Sequence, residues 1–370
     1  LSGSDEVIMS GILSDNLGRA GGLMKAAAVI SAPVANNLLI NGDMRIRQRP
    51  DVSNSTTAEY CLDRWRVSLW DGSAYPQHDI AQDTTVPSGS TFTHSMKLTI
   101  DAGDASLADA AIHVIQQYVE GLVADQLRFG TADAKTVTIS FWIRSPVAGV
   151  HYVSIRNNGQ DRGYPAPYTI ADADTFEYHS VTIPGDTSGT WLTTNGIGLR
   201  VSWCFGAGVT YQGTASSWEG GNDFAASDQV NAVATSADVI YLTGCQLEVG
   251  DSASPFFHTN YQVELAKCQR YFEPIGHEAL MGTAQSASTV GYSIKHRHMR
   301  ANPTLTLKDT SPNVSNGAAG FTGSGGTLSA AISDPKGTFA NLTGFSGLTA
   351  GQGIHDNGTS DPFLTLDAEL

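Results

Sequence analysis

Hydrophobic and polar residues alternate along most of the chain between residues 37 and 257. In residues 137–144 every odd position is apolar, and Trp142 is the only large apolar residue at an even position. Residues 197–205 and 65–69 alternate in the same way. Segments of this kind bury one face and leave the other in water, so they predict antiparallel β-strands.

The predicted strands are separated by short segments rich in Gly, Asp, Asn and Ser, such as 101–108, 157–163 and 185–190. Charged residues make up only 15% of the chain, and 39 residues are glycine. Many strands with turn-forming linkers and almost no helix between them are typical of two packed antiparallel sheets. The pattern therefore predicts an all-β fold, an antiparallel β-sandwich of the jelly-roll type.

One amphipathic helix is predicted after the sandwich strands. Thr259 or Asn260 can cap its N-terminus, and Pro274 ends it. Glu264 and Lys267, three residues apart, are placed on the solvent side. The apolar face is formed by residues at helical spacing, namely Tyr261, Leu265, Cys268 and Phe272.

The composition divides the chain into three parts. Residues 1–36 are rich in Gly, Ser and Ala and too poor in large apolar residues to fold alone, so they are interpreted as an extended arm that docks on a partner. Residues 37–275 form the sandwich with its helix. Residues 276–370 hold further strand patterns between long Gly-, Ser- and Thr-rich segments and predict a small C-terminal β domain whose thin core is supported by neighbouring subunits.

The net charge of −15 excludes two classes of partner. A polyanion gains no free energy from counterion release on nucleic acid, and anionic lipid surfaces repel it. No apolar run reaches the length of about 18 residues that a membrane helix requires, so membrane insertion is not expected.

The four cysteines are not spaced as metal ligands, and each lies in an apolar stretch. They are interpreted as small buried hydrophobic residues, with a disulfide as the alternative. Reduced thiols fit assembly in a bacterial cytoplasm. The residues are Cys61, Cys204, Cys245 and Cys268.

Several predicted loops combine aromatic rings with polar side chains. Pyranose rings stack on exposed aromatic rings, and Asn, Gln, Asp and Arg bind their hydroxyl groups, so these loops are candidate glycan-binding sites; the alternative is that the rings pack on a sheet edge or a neighbouring subunit. The candidate ligand-binding residues are Trp70, Tyr75, Tyr164, Tyr211 and Trp218. Trp65, Trp142 and Trp203 lie within strands and are predicted to be core or interface residues.

Metal and catalytic chemistry have weaker signals. Asp101, Asp104 and Asp109 could hold one structural calcium ion, although their spacing is not that of an EF-hand. No other cofactor is expected. The sequence contains no nucleophile elbow, phosphate-binding loop or HExxH zinc motif, so a binding protein and not an enzyme is predicted.

Four segments carry a resemblance to known proteins. They are "NNLLINGDMRIRQR" (36–49), "LDRW" (62–65), "QLEVGDSASPFF" (246–257) and "ELAKCQRYF" (264–272). In this order and spacing they resemble bacteriophage tail-fibre and minor tail proteins. Within them, Gly42 is interpreted as supplying an unusual backbone conformation, Asp63 and Arg64 as an ion pair or turn cap, and Gln269 and Arg270 as ties between the helix and its surroundings.

The resemblance implies a jelly roll similar to carbohydrate-binding modules, carried on a homotrimeric virion appendage. The protein is then a tail-fibre or spike subunit that attaches the phage to a host cell-surface polysaccharide. Its arm, residues 1–36, would contact other virion tail proteins, and assembly would take place in the host bacterial cytoplasm. The alternative is a structural, adaptor or decoration subunit of the virion without ligand binding, and a glycan depolymerase is a third hypothesis.

Overall fold

The computed structural model describes residues 37–73, 76–276, 280–309, 312–323, 326–356 and 362–370. The predicted arm, residues 1–36, lies outside the described residues. Residues 37–370 form one compact unit.

Two six-stranded sheets form the sandwich, and their strands are numbered along the chain. In spatial order, sheet A consists of β1 (Val52–Ser55), β4 (His78–Asp83), β5 (Ser95–Ile100), β12 (Val239–Val249), β7 (Val137–Arg144) and β10 (Glu177–Ile183). Sheet B consists of β2 (Glu59–Tyr60), β3 (Arg66–Trp70), β6 (Ile112–Glu120), β11 (Ile197–Ala207), β8 (Gly149–Arg156) and β9 (Gly163–Ile170). Every pair of neighbouring strands is antiparallel. The predicted all-β antiparallel sandwich is confirmed.

The alternation in the sequence explains how the two sheets pack. Phe141 of β7 and Trp203 of β11 both point inward, and their ring centroids lie 5.5 Å apart. Trp65 packs on Trp203 at 5.4 Å, and both tryptophans are fully buried, as predicted. Replacing one such ring by alanine would cost about 3–5 kcal/mol, so this aromatic centre is a main source of the sandwich's stability.

The helices are short. Helix α1 (Gly121–Ala124) and the 3₁₀ turn Asp125–Leu127 follow β6, and a second 3₁₀ turn spans Val209–Tyr211. Helix α2 spans Tyr261–Gln269. No helix in the described part of the chain is long and apolar enough to cross a membrane.

The predicted helix exists and Cys268 is buried as predicted, but the placement of Glu264 and Tyr261 and the end of the helix were wrong. Asn260 caps it, because its side chain accepts a hydrogen bond from the Gln262 amide. Glu264, predicted on the solvent side, is only 4% exposed and accepts a hydrogen bond of 2.5 Å from the Asn41 amide. Tyr261, predicted on the buried face, is exposed. A specific polar contact thus decides which side of α2 is buried, and hydrophobic spacing does not show such contacts.

Beyond Gln269 the chain turns into a strand instead of continuing the helix. A three-stranded sheet consists of β13 (Phe272–Ile275), β22 (Leu364–Asp367) and β16 (Thr304–Leu307). A seven-stranded sheet consists of β18 (Gly320–Thr322), β17 (Asn313–Ser315), β21 (Gly353–Asp356), β14 (Met281–Ser286), β15 (Thr289–Lys295), β20 (Gly337–Thr343) and β19 (Leu328–Asp334). These sheets enclose an apolar cluster of their own, around Val290, Tyr292, Leu342 and Phe363.

The four cysteines are free thiols and are buried, as predicted. Burial raises the pKa of Cys61 and of Cys204 to about 12. Because the thiolate is the reactive form, these cysteines act as inert core residues.

Candidate functional site

An open groove of about 460 Å³ lies on the outer face of sheet A. It is called the aromatic groove because four of the residues that line it carry a benzene or indole ring and a fifth carries an imidazole. The lining residues are Gly89, Ser90, Thr91, Phe92, Ser140, Trp142, Tyr178, Gly244, Ser254, Pro255, Phe256 and His258, five of which are aromatic when His258 is included.

Trp142 and Tyr178 form the centre of the aromatic groove. They are register partners on β7 and β10, and their ring centroids lie 5.5 Å apart. Both point away from the core, because the neighbouring Phe141 and Ile143 point into it. Tyr178 is 46% exposed. The pair therefore presents an aromatic surface to solvent.

A bulge in β12 makes room for the next ring. The register of β12 with β7 shifts between Thr243 and Gln246, and Gly244 in the bulge has a φ of +63°. A Cβ atom at Gly244 would lie 2.6 Å from the Phe92 ring and 3.1 Å from Trp142. Glycine is thus required here both by conformation and by space, and it lets Phe92 approach Trp142.

Phe92, Phe256 and His258 form one wall of the aromatic groove. Their ring centroids are 5.0 Å apart for Phe92–Phe256, 5.5 Å for Phe92–His258 and 4.9 Å for Phe256–His258. The hydroxyl of Thr91 lies 2.8 Å from His258 Nε2. This mutual packing holds the rings in place without a ligand, and a preformed surface loses little conformational entropy on binding.

The segment that carries Phe256 is held by two polar residues of β12. Glu248 accepts hydrogen bonds from the Ser254 amide at 2.8 Å and from its hydroxyl at 2.7 Å. The Gln246 side chain accepts one from the Phe257 amide at 2.9 Å. Both side chains point outward from the strand and are buried beneath the segment. Gln246 and Glu248 therefore fix the turn beside Trp142 through these hydrogen bonds.

The turn at residues 41–43, called the N-G-D turn, supports the same wall. Asp43 pairs with Arg45 Nε at 2.9 Å and lies 3.6 Å from His258 Nδ1. Burial raises the pKa of Asp43, and the positive charge of Arg45 opposes this rise. The turn thus connects the start of the sandwich to His258 in the wall of the aromatic groove.

The interpretation of Gly42 was wrong, and so was the ion pair that was one of the two alternatives for Asp63 and Arg64. Gly42 does not supply the unusual backbone, since the positive φ angles belong to Asn41 (57°) and Met44 (58°). Asp63 and Arg64 do not pair with each other either. Asp63 accepts hydrogen bonds from the Gln48 backbone and side chain, both at 2.7 Å. Asp63 and Arg64 are adjacent in the chain but have different partners, and these partners are determined by the tertiary structure.

Arg64 and Arg270 tie the helix region to the sandwich. The Arg64 guanidinium lies 3.6 Å from the Tyr271 ring centroid and pairs with Glu369 near the C-terminus. Arg270 makes a two-pronged pair with Glu120, at 2.6 and 2.9 Å, which fits its predicted tying role. All four motif segments therefore meet and have structural contacts.

Four of the sequence-predicted ligand residues lie within the described ranges, and none of these four lines the aromatic groove. Tyr164 is only 6% exposed and belongs to the sandwich core, so its assignment as a ligand residue is corrected. Trp218 is half-buried, its ring centroid is 5.1 Å from that of Tyr164, and its Nε1 donates to the Pro184 carbonyl at 2.7 Å. It packs on the sandwich edge, together with Trp191 and Phe129.

Two further candidates, Tyr211 and Trp70, are not brought to this edge. Tyr211 packs on Phe224 with ring centroids 5.8 Å apart, in a separate cluster over sheet B. Trp70 is half-buried at the end of β3. Tyr75 lies outside the described residues.

Sequence reasoning missed Trp142 and Tyr178 because it searched the loops for exposed rings. Trp142 was predicted to be core or interface, yet it faces the outside of sheet A. A signal was present, since both residues occupy the polar phase of their strands, between inward-pointing neighbours. A large aromatic residue in the polar phase of a strand indicates a surface aromatic site.

The predicted calcium site is not assembled. Asp104 pairs with His113 Nε2 at 2.9 Å, and Asp109 is exposed. The pKa of Asp101 is raised by burial and by the nearby Asp79. Within the described ranges, no group of three or more His, Cys, Asp or Glu side chains is arranged to hold a metal ion.

Comparison with known proteins gives distant likenesses. No protein-family model matches the chain, and no curated protein matches it. Solved structures with partial similarity include the enzymatically active domain of tailspike protein 4 of Bacteriophage CBA120, with 10% identity, a TM-score of 0.29, and 58% of this chain and 21% of that chain covered. This chain therefore spans about a fifth of that tailspike domain.

Two further similar structures are carbohydrate-binding modules. TmCBM61 in complex with β-1,4-galactotriose has 11% identity and a TM-score of 0.29, with 58% of this chain and 99% of that chain covered. The CBM22-1 xylan-binding domain from Paenibacillus barcinonensis Xyn10C has 9% identity and a TM-score of 0.29, with 60% and 98% covered. Likenesses this low leave the function to be inferred from the residues of this chain.

Proposed function

We propose that this protein is a non-catalytic glycan-binding subunit of a bacteriophage tail fibre or spike, and that host surface polysaccharide binds in the aromatic groove. The observation that carries the proposal is the outward-facing pair Trp142 and Tyr178 beside small hydroxyl side chains. The aromatic groove replaces the loop aromatics as the candidate ligand site.

The chemistry of the aromatic groove suits a neutral sugar ring. The C–H faces of a pyranose are weakly apolar and stack on indole and phenol rings, while its hydroxyl groups need hydrogen-bond partners at the edges. Ser90, Thr91, Ser140 and Ser254 supply such hydroxyls around the rings. The groove is open to solvent, so it can accept a segment within a longer chain.

The same lining argues for binding without hydrolysis. Glycoside hydrolysis by the usual mechanism requires two carboxyl groups about 5–10 Å apart on either side of the scissile bond. None of the described residues that line the aromatic groove is an aspartate or a glutamate. Binding is therefore the function that this groove supports.

The virion context rests on the resemblance of the four motif segments to tail-fibre and minor tail proteins. The proposal includes a homotrimer that is assembled in the host cytoplasm and docked on other tail proteins through residues 1–36. Several copies of a weak site on one particle raise avidity without new contacts, which suits attachment to a repetitive polysaccharide.

The adaptor or decoration role is the second candidate. The observation that favours it is a group of exposed apolar side chains at and before α2, namely Phe257, Tyr261 and Val263. Such a group is typical of a protein–protein contact. It is compatible with either role, whereas the aromatic groove favours glycan binding.

Alanine substitution in the aromatic groove tests the proposal. The labelled oligomer is first screened on an array of bacterial glycans, and the best ligand is then titrated. We expect Trp142→Ala and Tyr178→Ala each to weaken binding by about three- to tenfold, because each removes one stacking surface. Leu122→Ala is the control, since Leu122 is also an exposed apolar residue, at 59%, and belongs neither to the groove lining nor to the apolar group at α2.

Two results would contradict the proposal. Unchanged affinity of the double variant Trp142→Ala/Tyr178→Ala would exclude the aromatic groove as the binding site. A correctly assembled oligomer that binds no glycan on the array would favour the adaptor role.

A further inference from the structure

The outer face of sheet B carries three arginines in two adjacent rows of side chains. Tyr118 of β6, Arg200 of β11 and Arg156 of β8 are register partners across three neighbouring strands. In the next row, Arg66 of β3 lies beside Gln116 of β6. This surface is called the arginine face.

The arginines of this face contact neutral groups. The Arg200 guanidinium lies 4.6 Å from the centroid of the Tyr118 ring, and Arg66 Nη1 donates to the Tyr118 hydroxyl at 3.1 Å. Arg156 lies 3.5 Å from the Phe224 ring centroid and donates to the Ser202 hydroxyl at 2.9 Å. The rings and hydroxyls orient the guanidinium groups but do not neutralise them.

Two asparagine side chains complete the contacts of Arg156 and Arg200. Arg200 Nη2 donates to Asn158 Oδ1 at 3.3 Å, and Arg156 Nη1 donates to Asn222 Oδ1. In the described part of the chain, no carboxylate lies within 4.0 Å of Arg66, Arg156 or Arg200. This is unusual in a protein with 36 acidic and 21 basic residues.

The positive charge on this face is also poorly solvated. Arg156 is only 2% exposed, and the buried Nε atoms of Arg156 and Arg200 have no hydrogen-bond partner. Arg156 and Arg200 are direct cross-strand neighbours, and like charges in that position repel each other. Burial, together with Arg200, lowers the pKa of Arg156 to about 9.

One carboxyl group, that of Asp223, acts on the Arg156 charge without forming an ion pair with it. Asp223 acts on Arg156 from beyond ion-pair distance, and burial together with Glu219 raises the pKa of Asp223. Buried charges are normally paired, because the cost of removing them from water is otherwise large. The arginine face therefore holds uncompensated positive charge that a bound anion would neutralise.

We propose that the arginine face binds an acidic saccharide through the carboxylate of a uronic-acid residue. Guanidinium groups bind carboxylates in a two-pronged geometry, and Gln116, Asn158 and Asn222 place amide groups beside them that can serve sugar hydroxyls. The inference rests on the proposed function in taking the ligand to be a saccharide. It uses the opposite sheet from the aromatic groove, so each site can be tested by itself.

The test compares oligogalacturonate, which carries carboxylates, with its neutral methyl ester, titrated against the purified full-length oligomer. We expect the charged oligomer to bind more tightly and its affinity to fall as salt is raised. The variant Arg66→Gln/Arg200→Gln should bind oligogalacturonate at least about tenfold more weakly, because two charge-assisted contacts are removed.

The matched control is Arg128→Gln/Arg297→Gln, which removes two exposed arginines elsewhere and changes the net charge equally. It should change the affinity by less than about twofold. The groove variant Trp142→Ala/Tyr178→Ala should keep its affinity for oligogalacturonate. If the double arginine variant does not fold, the single variant Arg66→Gln, at a half-buried position, replaces it.

Several outcomes would overturn the inference. Equal binding by wild type and Arg66→Gln/Arg200→Gln would exclude the arginine face, and so would the same loss in the control. No preference of the wild type for the charged oligomer would exclude carboxylate recognition. Equal binding of polyglutamate would show a site for anions and not for saccharides. If only the groove variant loses oligogalacturonate binding, the acidic sugar binds in the aromatic groove and not on the arginine face. If the groove variant loses only neutral-glycan binding, the inference about the arginine face is supported.

Discussion

At the scale of single residues, close approach matters more than conformational freedom in the N-G-D turn. The sequence predicted that Gly42 is needed for an unusual backbone conformation. A glycine is needed at this position, but the reason is lack of space for a side chain. A Cβ atom at Gly42 would lie 2.1 Å from the Cys245 carbonyl oxygen. That oxygen belongs to β12, more than two hundred residues along the chain, so only the folded structure shows the constraint.

We expect Gly42→Ala to lower the free energy of unfolding by about 3 kcal/mol or more, because the new methyl group meets backbone that cannot move without distorting β12. Denaturant unfolding followed by tryptophan fluorescence measures the effect. Gly353→Ala is the matched control, since a Cβ atom there meets nothing within 4 Å. Equal stability of the two variants would show that the N-G-D turn adjusts freely.

At the scale of secondary-structure elements, odd and even positions along a strand determine which side chains face the core. Contacts between elements determine how the elements are joined. The end of the chain is an example. Beyond β22, Glu369 pairs with the buried Arg64 of the sandwich and with Arg49 at 3.2 Å. Residues 276–370 are thereby joined to the sandwich by buried charge, and β22 pairs with β13, the strand that follows α2.

We expect Glu369→Ala to destabilise the protein by about 3–5 kcal/mol, since it leaves the buried Arg64 without its carboxylate partner. The measurement is the denaturant midpoint at constant pH. Asp133→Ala is the control, because Asp133 is exposed and lies 4.0 Å from Arg128, and it should cost less than about 1 kcal/mol. A loss for Glu369→Ala no larger than that of the control would refute this assignment.

At the scale of the whole molecule, three of the eight large apolar side chains that the described residues expose lie at or just before α2. Phe257, Tyr261 and Val263 are exposed, and Val263 is 52% exposed. Exposed apolar groups gain free energy when another subunit covers them. This group is a reasonable contact surface for the proposed homotrimer.

Light scattering on the purified protein should give a particle mass of three times the 39.0 kDa of one chain. Val263→Glu should dissociate the trimer, because it would place a charge in the contact. Val209→Glu is the matched control, since Val209 is 64% exposed and lies far along the chain from α2. A stable wild-type monomer would refute the homotrimer.

Much of the fold follows from the sequence alone. The side-chain direction in a strand depends only on whether a position is odd or even, so alternation was sufficient to predict antiparallel strands, their buried faces and the β-sandwich. Trp65 and Trp203 were correctly predicted as core for this reason. The low charged fraction and abundant glycine in the composition agreed with that prediction.

The candidate site was decided by the tertiary structure. Phe92, Trp142 and Phe256 come from three distant parts of the chain and meet only because β12 lies between β5 and β7. The unpaired charge of Arg156 and Arg200 is likewise visible only once the carboxylates have been placed elsewhere. A pattern along the chain records which way a side chain points, whereas a binding site depends on which distant side chains share the same surface, and that is determined by how the sheets pair and pack.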